Sequence, residues 1–191
     1  MMNLPCPLIL ASKSPRRQQL LREAGFEFAI VTRDVDESYP ETLASSQVAK
    51  FLATKKLEAF TDVKNNNIVI TSDTVVIQND HVLGKPANRE EALAMLHLMS
   101  GKSHLVISGV CIAHGEKQIV FDDVTKVYFK ELSAAEISHY VDTYKPYDKA
   151  GAYGIQEWIG MIGITKIEGS YFNVVGLPVH KVYEALLKFK D

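Results

Sequence analysis

The short apolar run over residues 8–11 breaks abruptly at Ser12-Lys13-Ser14-Pro15, and no other feature of the sequence constrains its folding as tightly. Proline suits the first turn of a helix because the N–H it lacks would have no intrahelical partner there, and a serine ahead of it is a favoured cap. A helix is therefore expected over 15–24, stopped by Gly25 in a left-handed cap and followed by a second strand over 26–31. The chain thus opens as strand, helix, strand.

Further along, Val48, Phe51, Leu52 and Leu57 recur at helical spacing and predict a long helix over 43–60. After a polar turn at 64–67, Ile68-Val69-Ile70 reads as a buried strand running into Thr71-Ser72-Asp73-Thr74, with an acidic residue at its end. Residues 75–77 and 82–83 flank Asn79-Asp80 as a hairpin. Asn88 with Glu91 marks the start of a helix to Met99 that Gly101 closes. Residues 104–113 and 119–129 read as an antiparallel pair around Gly115, and Ser133 with Glu136 caps a helix to about Tyr144. The Gly- and Ala-rich stretch 148–154 is a loop whose backbone can approach a ligand closely. Residues 162–167 and 171–175 around Glu168-Gly169 read as a last hairpin, and Leu177-Pro178 precedes a final helix to Phe189.

With 191 residues, of which 47% are hydrophobic and 23% charged, the chain has the composition of an ordinary globular protein, read here as one domain over 1–191. Lys and Arg number 21 against 23 Asp and Glu, so no global positive field exists to hold a polyanion nonspecifically, and no stable nucleic-acid partner is expected. Cys6 and Cys111 are far apart and outside any metal-binding spacing, which gives neither a disulfide framework nor a zinc site. The first ten residues lack a leader pattern and no apolar run approaches the ~18 residues of a membrane span. A cytoplasmic protein without a membrane partner is expected.

Two constellations carry chemistry. Ser12-x-Ser14-Pro15-Arg16-Arg17 puts two hydroxyls and two guanidinium groups at a helix N-terminus. That end of a helix attracts anions, whereas cations in the first turn are disfavoured by roughly 0.3–1 kcal/mol each. Adjacent arginines there make sense if an oligophosphate sits between the helix end and the guanidinium forks. The second constellation is acidic: Asp34, Asp36 and Glu37 after the second strand, and Asp73 after the apolar strand. Mg²⁺ is commonly held by one or two carboxylates together with substrate phosphates, and ligands gather beyond the carboxyl ends of strands in open α/β sheets, which favours Asp73. Asp34 and Asp36 read as a solvent-facing acidic loop. Lys56, Lys85 and Lys149 stand in apolar or glycine-bearing settings from which a lysine can reach phosphate. Gly101-Lys102-Ser103 imitates the end of a P-loop, but position 96 holds Leu96 where that motif requires glycine.

Five ordered stretches, Leu10-Ala11-Ser12-Lys13-Ser14-Pro15-Arg16-Arg17, Ser72-Asp73-Thr74, Gly84-Lys85-Pro86, Asp148-Lys149-Ala150-Gly151-Ala152-Tyr153-Gly154-Ile155-Gln156 and Gly169-Ser170-Tyr171-x-Asn173-Val174-Val175-Gly176-Leu177-Pro178, together resemble the Maf family of nucleotide pyrophosphatases. The resemblance implies an α/β fold like that of inosine triphosphate pyrophosphatases, a mixed twisted sheet with flanking helices in two lobes around a cleft, and often a homodimer. It implies that Ser12, Ser14, Arg16, Arg17, Lys56 and Lys85 hold a nucleoside triphosphate. Glu37 and Asp73 would serve a divalent cation (Mg²⁺, Mn²⁺ or Co²⁺) or a water, with Asp73 catalytic, and Arg17, Lys85 and Gln156 would set specificity. The stretch ending in Gln156 looks like the branch acting on dTTP and UTP, whereas the 7-methyl-GTP branch carries a Glu in this region. A glutamine amide both donates and accepts, which suits the imide edge of thymine or uracil.

The chemistry so implied is attack of water on the α-phosphorus, releasing pyrophosphate and leaving the monophosphate, as in a housecleaning enzyme of nucleotide pools. Two alternatives are a nucleotide-sensing regulator of cell division and the 7-methyl-GTP-type enzyme. A carboxylate at a strand end argues for turnover, because binding a polyanion gains nothing from a nearby negative charge unless a metal intervenes.

Overall fold

The computed structural model describes residues 4–190. Strand β1 (Leu8–Leu10) is buried at every residue and runs parallel to both β2 (Ala29–Ile30) and β3 (Ile68–Gln78), with Leu10 opposite Ile30 and Ile70. Helix α1 (Pro15–Glu23) connects β1 to β2. Helix α2 (Val48–Glu58), preceded by a 3₁₀ turn at Ser45–Gln47, leads into β3. The order β2-β1-β3 sends these two connections in opposite directions across the sheet. Such crossovers are almost always right-handed, so α1 and α2 belong on opposite faces. The contacts of β3 agree, since alternate strand residues face opposite ways. Thr71 donates to Ala53 O at 2.6 Å and Asp73 meets Lys56, both on α2, whereas Thr74 meets Arg17 of α1.

Asn79 and Asp80, both with positive φ (50° and 62°), turn β3 tightly into the antiparallel β4 (His81–Leu83). Then follow α3 (Arg89–Met99), β5 (Ser103–His114), β6 (Lys117–Phe129), α4 (Ala134–Tyr144), α5 (Trp158–Gly163), β7 (Ile164–Glu168), α6 (Tyr171–Val175) and α7 (Val179–Leu187), with a 3₁₀ turn at Ala150–Ala152 before α5. Ser133 and Glu136 form a complete capping box at α4, and Asn88 caps α3 by accepting from Glu91 N–H at 2.9 Å. Among the described residues seven strands make one mixed sheet, in the order β2-β1-β3-β5-β6-β7 with β4 beside β3.

The chain divides into two compact units. The first comprises the residues up to Thr74, Ser108–Asp123 and those from Gly176 onward; its core includes Ile9, Ala53, Leu57, Phe60, Val69 and Cys111. Here Gly109 of β5 lies against α2 so closely that a Cβ would stand 2.3 Å from the Ala49 carbonyl. The second comprises Val75–Ile107 and Val124–Val175, with a core around Leu96, Met99, Val127, Ile137, Tyr140 and Ile159. Both cysteines are free thiols.

Four expectations are corrected. The second strand is confined to Ala29–Ile30, because Phe26 N–H closes the preceding helix on Leu21 O. The long helix begins at Val48 rather than Leu43. Asp73 does not end a strand: β3 continues to Gln78, although β1 stops opposite Ile70. The last hairpin is absent, since residues 171–175 form α6, where Asn173 N–H meets the Ser170 hydroxyl at 3.3 Å and the buried Asn173 amide donates to Val106 O and Thr125 Oγ1.

Candidate functional site

In the first unit the chain leaves β1 after Ala11, whose N–H makes the last β1–β3 bond, to Ile70 O at 2.8 Å. The loop that follows is tied to itself. Ser12 Oγ accepts from Ser14 N–H at 3.2 Å, Ser14 caps α1 by accepting from Arg17 N–H at 3.4 Å, and Gln18 donates to Ser12 O at 3.2 Å. Ser12 is buried and Pro15 takes the first helical position, so the two arginines are held in the opening turn.

Arg17 is engaged by the protein on all three of its nitrogens. Nε donates to Gly176 O at 2.8 Å, Nη1 to Ser72 O at 2.9 Å and Nη2 to Thr74 Oγ1 at 2.9 Å, with a longer contact from Nη1 to Ser12 Oγ. Ser72 O is the next carbonyl of β3 to face the position that β1 has vacated, because carbonyls two residues apart in a strand point the same way. The guanidinium thus supplies the donor that a longer β1 would have given. Gly176, with φ 132°, is in a backbone conformation that side chains rarely adopt, and it brings its carbonyl to Arg17. Burial lowers the Arg17 pKa, and the carboxylates of Asp73 and Glu37 oppose that shift while Arg16 adds to it, so each of these three charges lies within electrostatic reach of Arg17.

On the other face of β3, the Lys56 ammonium meets Asp73 Oδ1 at 2.6 Å and Glu37 Oε1 at 2.8 Å. Asp73 and Lys56 are largely enclosed, with side chains 13% and 16% exposed, while Glu37 is half exposed. The loop bearing Glu37 is anchored beside it: Asp36 accepts from Ser38 N–H and hydroxyl, and Lys55 donates to Asp36 and to Ser38 O. Those bonds hold the Asp36 carboxyl down at about 2. Asp34 pairs with Lys13 at the surface.

Two carboxylate oxygens converging on one cationic position form a hard donor set. Among the described residues no cluster of three or more His, Cys, Asp or Glu side chains exists to hold a metal on its own. Glu37 and Asp73 both meet the Lys56 ammonium, so a cation of the Mg²⁺ kind, which accepts one or two carboxylates and completes its shell with water and phosphate oxygens, would share these carboxylates with the lysine or displace it.

The second unit holds Lys85 and Gln156. Gly84-Lys85-Pro86 follows β4 and is tied to the glycine-rich loop by Gly151 N–H donating to Gly84 O at 3.0 Å. Lys85 is exposed. Lys149 is buried and paired with Asp148 at 2.7 Å and Glu157 at 3.1 Å, so its charge is used within the unit. Gln156 is half-buried, and its Oε1 is enclosed with no hydrogen-bond partner among the described residues. Nearby, His104 and the Tyr153 hydroxyl meet at 2.7 Å in the core, and burial pushes the imidazole down to about 4.

The residues overlooked by sequence reasoning are Thr74, Gly176 and the carbonyl of Ser72, which receive Arg17, together with Tyr140, whose hydroxyl donates to Glu157. Thr74 and Gly176 lie within stretches that carried the resemblance. A phenol on a helix carries no comparable signal.

A family model described as Maf-like protein matches residues 7–189. The chain belongs to the Maf-like family. It is 49% identical over 184 residues to the dTTP/UTP pyrophosphatase of Parabacteroides distasonis, covering 95% of each chain. It is 51% identical over 180 residues to the protein of that name from Christiangramia forsetii, covering 94% of this chain and 92% of the other. Among solved structures, the Staphylococcus aureus Ham1 protein aligns over 97% of this chain and 100% of its own with a TM-score of 0.51 and 15% identity, a likeness of fold alone. The Maf-like match takes in both the loop after β1 and the glycine-rich loop.

Proposed function

We propose that this Maf-like chain hydrolyses dTTP and UTP to the monophosphate and pyrophosphate. The observation that carries the reading is the convergence of Glu37 and Asp73 on Lys56 beside the arginine-bearing turn after β1. The order β2-β1-β3 makes the gap between β1 and β3 a topological switch point, where α/β sheets bind ligands. The name shared by relatives about half identical over nearly the whole chain supplies the substrates.

In this reading Ser12, Ser14 and Arg16 receive phosphate oxygens at the N-terminus of α1, and Lys56 and Lys85 offset the charge of the departing pyrophosphate. Arg17 contributes positive charge and holds the wall of the site. Asp73 orients or deprotonates the attacking water, or binds the metal, with Lys56 fixing its carboxylate. A divalent cation held by Glu37 and Asp73 would draw charge from the phosphate oxygens. Gln156, whose amide both donates and accepts, reads the imide edge of the base. Homodimer formation, a cytoplasmic setting and a role in cleaning nucleotide pools complete the proposal. The described residues include no helix long and apolar enough to cross a membrane.

The test is pyrophosphate release from dTTP and UTP with Mg²⁺, Mn²⁺ or Co²⁺, in the parent and in Asp73→Asn. Substitution should lower kcat by about 10²–10⁴-fold, the usual worth of a positioned acid–base group. Parental turnover in Asp73→Asn would remove Asp73 from the chemistry. Tight binding of UTP by the parent without release of pyrophosphate would favour a nucleotide sensor instead.

A further inference from the structure

Ser108 lies in the middle of β5 and outside the five stretches that carried the resemblance. Its neighbour Gly109 packs against α2, where a Cβ would stand 2.3 Å from the Ala49 carbonyl, so Ser108 points the other way, toward the face that carries α1. It is fully buried, and its hydroxyl lies 2.8 Å from Thr74 Oγ1. Both residues belong to the first unit, as do Arg17 and Gly176.

The Thr74 hydroxyl stands at the centre of a clasp. Arg17 Nη2 donates to it at 2.9 Å, and it donates to Gly176 O at 3.3 Å. Gly176 O also receives Arg17 Nε at 2.8 Å, so guanidinium, hydroxyl and carbonyl close into a ring. A hydroxyl has one proton and two lone pairs. With the proton turned to Gly176 O, which can only accept, and one lone pair taken by Arg17, the place that remains is the second lone pair, and the Ser108 hydroxyl fills it as a donor. Nη1 of the same guanidinium holds Ser72 O at 2.9 Å. The residues on either side of Asp73 are thus tied to one side chain.

We infer that Ser108 is a positioning residue: by donating to Thr74 it fixes that hydroxyl as an acceptor for Arg17, and the guanidinium so oriented holds the backbone of residues 72–74 from which the Asp73 carboxylate projects. Its weight in turnover rests on the role of Asp73 proposed above. Without the Ser108 hydroxyl a Thr74 lone pair faces a methyl group, and a buried polar atom left without its partner is costly, so the ring loosens at the atom that receives Arg17. A displacement of about 1 Å at a reacting group can lower a rate by about 10²-fold, which is how a hydroxyl remote from the substrate registers in kcat.

The experiment is steady-state hydrolysis of UTP by the parent, Ser108→Ala, Thr74→Val and the double variant, with thermal denaturation to establish folding. Alongside it, nitrogen–proton NMR reads the exchange rate of the Arg17 Nε–H, whose signal is assigned by its absence in Arg17→Lys. Ser108→Ala should lower kcat about five- to tenfold with KM within about twofold of the parent, the worth of one hydrogen bond that positions rather than binds. The double variant should be no slower than Thr74→Val, because the two hydroxyls act in series. Exchange of the Nε–H should quicken about tenfold in Ser108→Ala. A kcat within about twofold of the parent, or effects that multiply in the double variant, overturns the inference, since a merely structural role lowers Tm and leaves the kcat and the exchange rate of the folded enzyme unchanged. Should Ser108→Ala fail to fold, Ser108→Cys, whose thiol is a weak donor, decides on the same criteria. The two readings fail differently. A parent that releases no pyrophosphate from UTP brings down the hydrolase reading, and the exchange rate then decides whether Ser108 holds Arg17; normal turnover in the parent with an unslowed Ser108→Ala brings down only the role of Ser108.

Discussion

Exchange of Arg17 for Lys separates a residue that grips phosphate from one that builds the wall around it. The substitution keeps a positive charge at the N-terminal turn of α1 and removes the planar fork. In the parent the fork reaches Gly176 O, Ser72 O and Thr74 Oγ1 from three separate nitrogens, at 2.8, 2.9 and 2.9 Å. A lysine ammonium carries its donors on a single atom and can keep one of these contacts, so two are lost. Hydrogen bonds to charged groups are worth about 1.5–3 kcal/mol each, and Arg17 is half-buried, so the lower end applies and the loss is about 3 kcal/mol. For a chain of this size each kcal/mol moves Tm by about 2–4 °C, which gives a fall of about 6–12 °C. Differential scanning fluorimetry, with steady-state kinetics on UTP, measures both consequences. The wall-building role predicts a lower Tm together with a lower kcat, because Ser72 and Thr74 flank Asp73. A Tm within about 2 °C of the parent, accompanied by a raised KM alone, would refute it and return Arg17 to direct phosphate binding.

Two other perturbations probe the scaffold. His104 has its pKa lowered from 6.5 to about 4 by burial, so the unfolded state takes up a proton at a higher pH than the folded one. Its contribution to stability is complete above pH 6.5 and is lost as pH falls toward 4, a change of about 3 kcal/mol; urea denaturation of the parent should show this slope between those limits, and His104→Phe should flatten it, whereas an unchanged slope would place the cause elsewhere. Gly109→Ala forces a methyl group to within 2.3 Å of the Ala49 backbone, which is not the tip of a flexible side chain that can step aside; a loss of about 3 kcal/mol in the same denaturation assay is expected, and a variant as stable as the parent would show that α2 can retreat from β5.

The sequence made the first unit readable where function depends on residue type. Serines, a proline and two arginines at the end of an apolar run announce a strand-to-helix turn that attracts anions, and Ser14 does cap α1. Glu37 was accessible only through resemblance, since Asp34, Asp36 and Glu37 form one acidic run; what separates Glu37 is its contact with Lys56, which depends on the fold. The partners of Arg17 were hidden for a related reason. Two of them are main-chain carbonyls, which every residue possesses, so no side chain marks the position. In the second unit Tyr140 reads as one more aromatic on the inner face of a helix, and nothing local shows that its hydroxyl serves Gly154 and Glu157. Helix α5 escaped notice because Gly160 and Gly163 weaken its helical signal by about 1 kcal/mol each relative to alanine. Gly160 is nonetheless required there, because a Cβ would stand 1.9 Å from Ile155 O.

The early end of β1 ties these features together. A parallel neighbour that continued beyond Leu10 would cover Ser72 O and close the approach to the segment from Ser72 to Thr74. Because β1 stops, that edge of β3 is open, and its unpaired carbonyl would be a liability unless something donated to it. Arg17 does so from the helix that follows β1, so the same turn that ends the strand also repairs the ladder. The repair brings a cation to within electrostatic reach of Asp73, whose side chain leaves the opposite face of the strand to meet Lys56. Shortening one strand therefore opens an edge of β3, brings charge to it from both faces of the sheet and keeps the backbone satisfied. A longer β1 would give a more regular sheet and cover Ser72 O, beside Asp73.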